Sequence, residues 1–244
     1  MTAHDSLPET GNVHVWRLDG TGLSPEIAQS LSETLLPDER HAVAKFRDAR
    51  QRDYRTIGRA MLRLVLSSYL DVPVTALVFG VGQHGKPFVR APEAHGLRFN
   101  VSHADAMTLI GIANGQEIGV DVERIRRNLP IDRIAPSSFT GEEWNAFASV
   151  PESERFAAFF RCWTRKEAVL KAEGIGLHRA PNSVEVGLGA PCEITRTGSY
   201  TVLSLDVAPG YAAAIAVEGA GIAATLNTWN PAAALALTAD LPDL

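Results

Sequence analysis

Cysteine is scarce: Cys162 and Cys192 are the only two in a chain of 244 residues. That excludes a disulfide framework and a cysteine-built zinc cluster. Cys162, inside an apolar helical run, and Cys192 both read as structural thiols. Long apolar runs are missing as well. No segment approaches the roughly 18 uninterrupted apolar residues of a membrane-spanning helix. The opening MTAHDSLPETG has acids and a proline where a signal peptide has a basic start and an apolar stretch. The expectation is a cytoplasmic protein that does not meet a membrane. Positive charge is in deficit, with a net charge of -5. The basic field that general nucleic-acid binding needs is therefore absent, and no nucleic-acid partner is expected. Neither a G-x-x-x-x-G-K-[ST] phosphate loop nor an H-E-x-x-H zinc motif occurs.

What remains is the balance of a soluble globular protein, 45% hydrophobic and 21% charged, long enough for one large domain or two small ones. From Pro37 to Leu70 the spacing is helical. Ile57, Met61, Leu64, Val65 and Ser68 make one stripe and Arg52, Arg55, Arg59 and Arg63 another, which predicts a long helix with a basic face. A solvated surface gives the same row of charges. TALVFGVGQHGKPFV then reads as strand, glycine-rich turn and strand. LRFNVSHADAMTLIGIA reads as two more strands joined at 103–106, and QEIGVDVER as another. Residues 132–150 are irregular or helical. ESERFAAFFRCWTRKEAVLKAEG is a helix closed by Gly174. Alternating segments from Val184 to Val217 predict a final antiparallel sheet, and the alanine-rich end from Thr228 a tail helix or loosely ordered segment. The order, helix then strands twice over, predicts an α+β protein of two similar halves. Their expected bounds are 1–113 and 114–226, with a tail over 227–244.

Gly80, Gly82 and Gly85 satisfy G-x-G-x-x-G, but the chain continues as Lys86-Pro87-Phe88-Val89 into an extended run. A dinucleotide site needs a helix there, so that reading is set aside. Ser102 and His103 resemble a nucleophile and its base, yet neighbours on a strand point to opposite faces and cannot pair as a dyad. IGVDVE is more informative. On a strand Ile118, Val120 and Val122 share one face, and Asp121 and Glu123 project together from the other. Two carboxylates so placed repel unless arginine, lysine or a hard cation lies between them. A solvated strand face neutralised by Arg124 is the plainer alternative. In WTRKEAVLK, Glu167 and Lys171 lie four residues apart on one helical face, the spacing of a surface ion pair. With Asp121 and Glu123, however, Glu167 completes a set of three oxygen ligands of the kind Mg²⁺ accepts when it also binds phosphate. A lysine beside it would offset phosphate charge. The concentration of cations around Glu167 is then explained by a polyanionic partner.

GVDVE followed by FFRCWTRKEAVLKAEGIGL resembles the paired signature of the 4′-phosphopantetheinyl transferases, specifically the long, two-halved type of the surfactin-synthetase-activating enzyme. GKPFV and FNVSHA are similar to that family's further motifs, in the same order, and the likeness runs from about Pro37 to Leu177. The resemblance implies two α+β halves with pseudo-twofold symmetry, the active site at their interface, and a monomer. It also implies a Mg²⁺-dependent enzyme, Mn²⁺ being an alternative. The implied reaction moves the phosphopantetheine arm of coenzyme A to a serine of an acyl or peptidyl carrier protein and releases adenosine 3′,5′-bisphosphate.

By the same resemblance Asp121, Glu123 and Glu167 match metal ligands, and Lys171 matches the lysine at the pyrophosphate. Lys86, Ser102 and His103 match the coenzyme A pocket, with His103 toward the 3′-phosphate beside Arg55. Arg40 falls near another basic ligand. The alignment slips by a residue before Phe46, so Lys45 is the alternative to Arg40. Glu167 is the expected base, directly or through water, together with Lys171 as the catalytic pair. Arg124, Arg126, Arg127, Phe139 and Trp144 are candidates for carrier docking or plain surface and core. A coenzyme A-binding protein without catalysis and a metal-dependent pyrophosphate hydrolase are the rival readings.

Overall fold

The computed structural model describes residues 6–190 and 192–239. The chain opens on strand β1 (Asn12–Asp19), followed by helices α1 (Pro25–Leu31), α2 (Pro37–Ala44) and α3 (Ala49–Leu70). The helical spacing seen from Pro37 to Leu70 is thus two helices, not one. The chain breaks at 45–48, where the Asp48 carboxylate caps α3 by accepting from Gln51 N at 2.7 Å. Strands β2 (Val78–Val81) and β3 (Pro87–Ala91) form a separate two-stranded hairpin. No helix follows its glycines, in line with the rejection of a dinucleotide loop. Strands β4 (Leu97–Ala104) and β5 (Met107–Asn114) join β1, and α3 packs its Ile57, Met61, Leu64 and Val65 on their Phe99, Ile110 and Ile112.

The second sheet begins with β6 (Ile118–Arg124). It is completed, after α4 (Ile131–Ser138), α5 (Gly141–Ala148) and α6 (Arg155–Ala172), by β7 (Ile194–Thr197), β8 (Tyr200–Leu205) and β9 (Tyr211–Glu218). Its order is β6-β9-β8-β7, all antiparallel, as the alternation from Val184 to Val217 predicts. The protein is α+β, with a long helix on each of two four-stranded sheets. The last strand, β10 (Ala223–Thr228), returns to the first sheet and pairs parallel with β1. Residues 223–226, grouped by sequence with the second half, therefore lie in the first sheet, where they cover the open edge of β1. The tail forms α7 (Pro231–Ala239), with Trp229 and Ala234 in the first core; residues 240–244 fall outside the described ones.

The two sheets meet through β4, β5 and β6. Ile118, Val120 and Val122 are buried there together, as expected, with Val15, Leu109 and Ile215. Strand β6 ladders with β9, and on its other side polar side chains of β4 serve its backbone. Asn100 Oδ1 accepts from Val120 N at 3.0 Å and Ser102 Oγ from Val122 N at 3.3 Å. Asn100 and Ser102 are both buried, so these bonds satisfy strand-edge amides that water does not reach. The same geometry aims Ser102 across the boundary between the sheets.

Candidate active site

Gly119 sets the spacing of the second half. It shares the face of β6 that carries Asp121 and Glu123. A Cβ at Gly119 would overlap the backbone of Ala168 and Ala172, so α6 lies directly on this face only because position 119 has no side chain. Glu167 and Lys171 flank that contact, and Lys171 reaches Asp121. Lys171 Nζ donates to Asp121 Oδ1 at 2.6 Å and to Ser102 Oγ at 2.9 Å; Ser102 Oγ donates to the same Oδ1 at 2.9 Å. Residues of β4, β6 and α6, far apart in sequence, thus converge on one carboxylate that is 4% exposed.

Burial pushes the Asp121 carboxyl above its ordinary range, against the pull of Lys171 and Ser102. Glu123 is raised first by burial and then by Asp121. Glu167 is pushed up to about 7, by burial, by Asp121 and by Glu123, with Lys171 opposing. The three carboxylates predicted to act together therefore repel one another. Asp121 Oδ2 and Glu167 Oε1 are buried with no hydrogen-bond partner. Among the described residues no three His, Cys, Asp or Glu side chains already stand as a metal cage. The donor set nevertheless fits a hard divalent cation: it is all oxygen, short of positive charge, and leaves two buried oxygens unsatisfied.

Cationic side chains, Lys171 among them, gather around His103. His103, on the opposite face of β4 from Ser102, turns toward α3, with Nδ1 3.2 Å from Thr108 Oγ1. The Ser102–His103 dyad is absent, as strand alternation requires. Burial, then Arg55, Lys171 and Arg59, push the imidazole down to about 3. Arg55 is half-buried, its guanidinium 5.6 Å from the Phe46 ring, and its Nε is buried without a partner. An anion reaching this side chain would satisfy it. Lys86 is turned elsewhere: Nζ is 2.6 Å from Glu117 Oε2 and 3.0 Å from Ala172 O, lining a cavity of about 480 Å³ between the β2–β3 hairpin and the end of α6. Arg40 is exposed on α2 and lines a different cavity, with Arg52, between α1, α2 and α3. Lys45, its alternative, is exposed at the end of α2.

Two of the three cations around Glu167 are structural, which corrects the expectation that all of them serve a polyanion. Lys166 is fully buried, 2.5 Å from Glu143 Oε2, and also donates to the carbonyls of Pro181 and Val184. Arg165 is fully buried and turns away toward β7, where it donates to Thr195 Oγ1, while its Nε and Nη1 are buried without a hydrogen-bond partner. On α3, likewise, Arg63 is no member of a basic face. It is 1% exposed, pairs with Glu39 Oε2 at 2.5 Å and donates to the carbonyls of Val74 and Leu77. Of the docking candidates, Phe139 is core, Trp144 packs against that core, Arg124 stacks on Tyr211 and Arg126 pairs with Glu123 at 3.4 Å. Cys162 is buried, with its thiol raised by burial, whereas Cys192 is exposed.

Fold and site together give an α+β protein with a carboxylate cluster on one sheet and cationic side chains about His103 on the other. The chain belongs to the 4′-phosphopantetheinyl transferases. Residues 117–216 match the family described as the 4′-phosphopantetheinyl transferase superfamily, and residues 24–114 match the one described as 4′-phosphopantetheinyl transferase, N-terminal. It is 32% identical over 242 residues to the 4′-phosphopantetheinyl transferase HetI of Nostoc, covering 95% of this chain and 98% of that protein. It is 26% identical over 200 residues to the 4′-phosphopantetheinyl transferase Sfp of Bacillus subtilis, covering 79% of this chain and 86% of that one. It is an enzyme of this class.

Proposed function

We propose that the protein transfers the 4′-phosphopantetheine arm of coenzyme A to a serine hydroxyl of an apo acyl or peptidyl carrier protein, with Mg²⁺ and with release of adenosine 3′,5′-bisphosphate. One observation carries this reading: the unsatisfied carboxylate oxygens of Asp121 and Glu167 lie in the same site as a free arginine, Arg55, and a bridging lysine, Lys171. Carboxylates for a cation and cations for phosphates, held together, are what a pyrophosphate-bearing substrate requires. Asp121, Glu123 and Glu167 would hold the metal. When bound, it supplies charge neutralisation and orientation of the phosphate oxygens.

The chain's own residues do the rest. Arg55 and His103 bind the 3′-phosphate, with Ser102 and Lys86 toward the same co-substrate and Arg40, or Lys45, at its outer edge. The carrier serine oxygen forms a bond to the β-phosphorus as the bond from that phosphorus to the oxygen bridging to the α-phosphate breaks. Lys171 exchanges its contact with Asp121 for the developing charge on the leaving bisphosphate. Glu167 takes the serine proton directly or through a water. Beside Glu123 a groove of about 220 Å³, walled by Leu129, Ile134, Phe159 and Trp163, suits the pantetheine arm. A monomer suffices for this site, which two sheets of one chain assemble.

The test is intact-mass spectrometry of an apo carrier protein incubated with the enzyme, coenzyme A and Mg²⁺, alongside Glu167→Ala and a chelator. A gain of one phosphopantetheine, lost in both controls, is expected. Coenzyme A cleaved with no carrier gain would make the protein a hydrolase instead. Coenzyme A bound without any turnover would make it a binding protein.

A further inference from the structure

At Gly58, α3 has no side chain of its own over the first sheet. A Cβ on Gly58 would stand 2.8 Å from Thr108 Oγ1 and 3.4 Å from His103 Cε1. Thr108 and His103 are directly opposed across the β4–β5 pair, and their side chains meet under the helix at 3.2 Å. Thr108 is 3% exposed. Arg55 and Arg59, the latter paired with Glu39 at 3.2 Å, flank Gly58 on the same helix, so the bare backbone at 58 lets this cationic stretch of α3 lie close over the imidazole.

A neutral imidazole donates from one nitrogen and accepts at the other. Thr108 takes Nδ1, which leaves Nε2 for a ligand. Donation from Nε2 to an anion then requires an Nδ1 without hydrogen; a threonine hydroxyl, which can donate or accept, permits that tautomer where a carbonyl would forbid it. Burial and the charges of Arg55, Lys171 and Arg59 all oppose a second proton on the ring. For His103 to serve an anion without first gaining a proton, Nδ1 must accept a hydrogen bond, and the Thr108 hydroxyl is the donor within reach.

We infer that Thr108, seated under Gly58, is a positioning residue that holds His103 as the Nε2–H tautomer and so lets the site select a 3′-phosphorylated co-substrate over its dephosphorylated analogue. This rests on the coenzyme A reading above.

The experiment compares the wild-type enzyme, Thr108→Val and Thr108→Ser with coenzyme A and with 3′-dephospho-coenzyme A on one carrier. It also records the ¹⁵N shifts of the His103 ring in the free enzyme. Thr108→Val keeps the shape and removes the hydroxyl. It is expected to raise KM for coenzyme A about five- to tenfold, the effect of one lost hydrogen bond. KM for the dephosphorylated analogue and kcat should change by less than about twofold. Thr108→Ser should restore the preference, and the ring should be Nε2–H in the wild type and the serine variant but mixed in the valine variant. Equal losses on both co-substrates, no loss on either, or an Nδ1–H ring in the wild type would overturn the inference. If the wild type modifies no carrier at all, the proposed reaction fails, while the ring spectrum of the free enzyme still decides what Thr108 does.

Discussion

Helices α3 and α6 carry similar rows of cations and use them in two ways. On α3, Arg63 is sealed against Glu39 and two backbone carbonyls while Arg55, two turns earlier, has a buried Nε with no partner. On α6, Lys166 is sealed against Glu143 and two carbonyls while Lys171 faces Asp121 at the site. In each helix the structural cation has a carboxylate from a different helix as its partner. The cation at the candidate site has none of its own, or shares one with the site; Arg165, buried on α6 with two unpartnered nitrogens and no carboxylate, falls outside this contrast. Periodicity alone does not separate the two uses; the location of the compensating acid does.

This contrast is sharpest where a sealed cation is removed. Lys166→Ala leaves the Glu143 carboxylate buried and uncompensated, and should cost about 3–5 kcal/mol of stability in denaturant unfolding. Arg63→Ala should also destabilise, but less, because Glu39 keeps Arg59 Nε at 3.2 Å. Gly119→Ala comes next, since its methyl collides with α6 backbone and not with a movable side chain. About 1–3 kcal/mol of destabilisation is expected, together with a lower transfer rate as Glu167 and Lys171 shift from Asp121. Arg55→Ala should leave the unfolding curve nearly unchanged and raise KM for coenzyme A about tenfold or more. If Arg55→Ala destabilised the protein as much as Arg63→Ala, the distinction between sealed and free cations would collapse.

The smallest effect is on pH dependence. His103 falls from an ordinary 6.5 to about 3 in the folded state, so the unfolded chain binds the extra proton between those values. Its contribution to stability is therefore complete above about pH 6.5 and is lost as pH falls toward 3. His103→Asn should flatten the acid side of the stability profile measured by urea unfolding. A steeper acid side in that variant would contradict the shift.

Much of the fold was legible because strands and helices announce themselves by period. The IGVDVE alternation correctly put Ile118, Val120 and Val122 in the core and Asp121 and Glu123 on the other face. β1 escaped notice because both of its faces are buried, with Val13 and Val15 in one core and Trp16 and Leu18 in another, so it lacks a polar side. The return of β10 to β1 is a long-range pairing with no local signature. At the site, the meeting of Ser102, Asp121 and Lys171 follows from motifs whose spacing is readable. The parts that depend on what lies above a given residue were not readable: Lys166 and Arg165 turn inward, Lys86 reaches Glu117, and Thr108 sits beneath Gly58 against His103. Glycines 58 and 119 were signals in plain view, each in the middle of a regular element where glycine is otherwise costly.

The central claim is that of the cations around Glu167 only Lys171 acts in the reaction, and that it does so mainly in the transition state. The most direct test is the single-turnover rate of carrier modification by Lys171→Ala at saturating coenzyme A, with coenzyme A affinity measured separately. The account predicts a rate lower by about 100-fold or more, with affinity within a few-fold of the wild type. A loss confined to coenzyme A affinity, with the saturated rate intact, would contradict it.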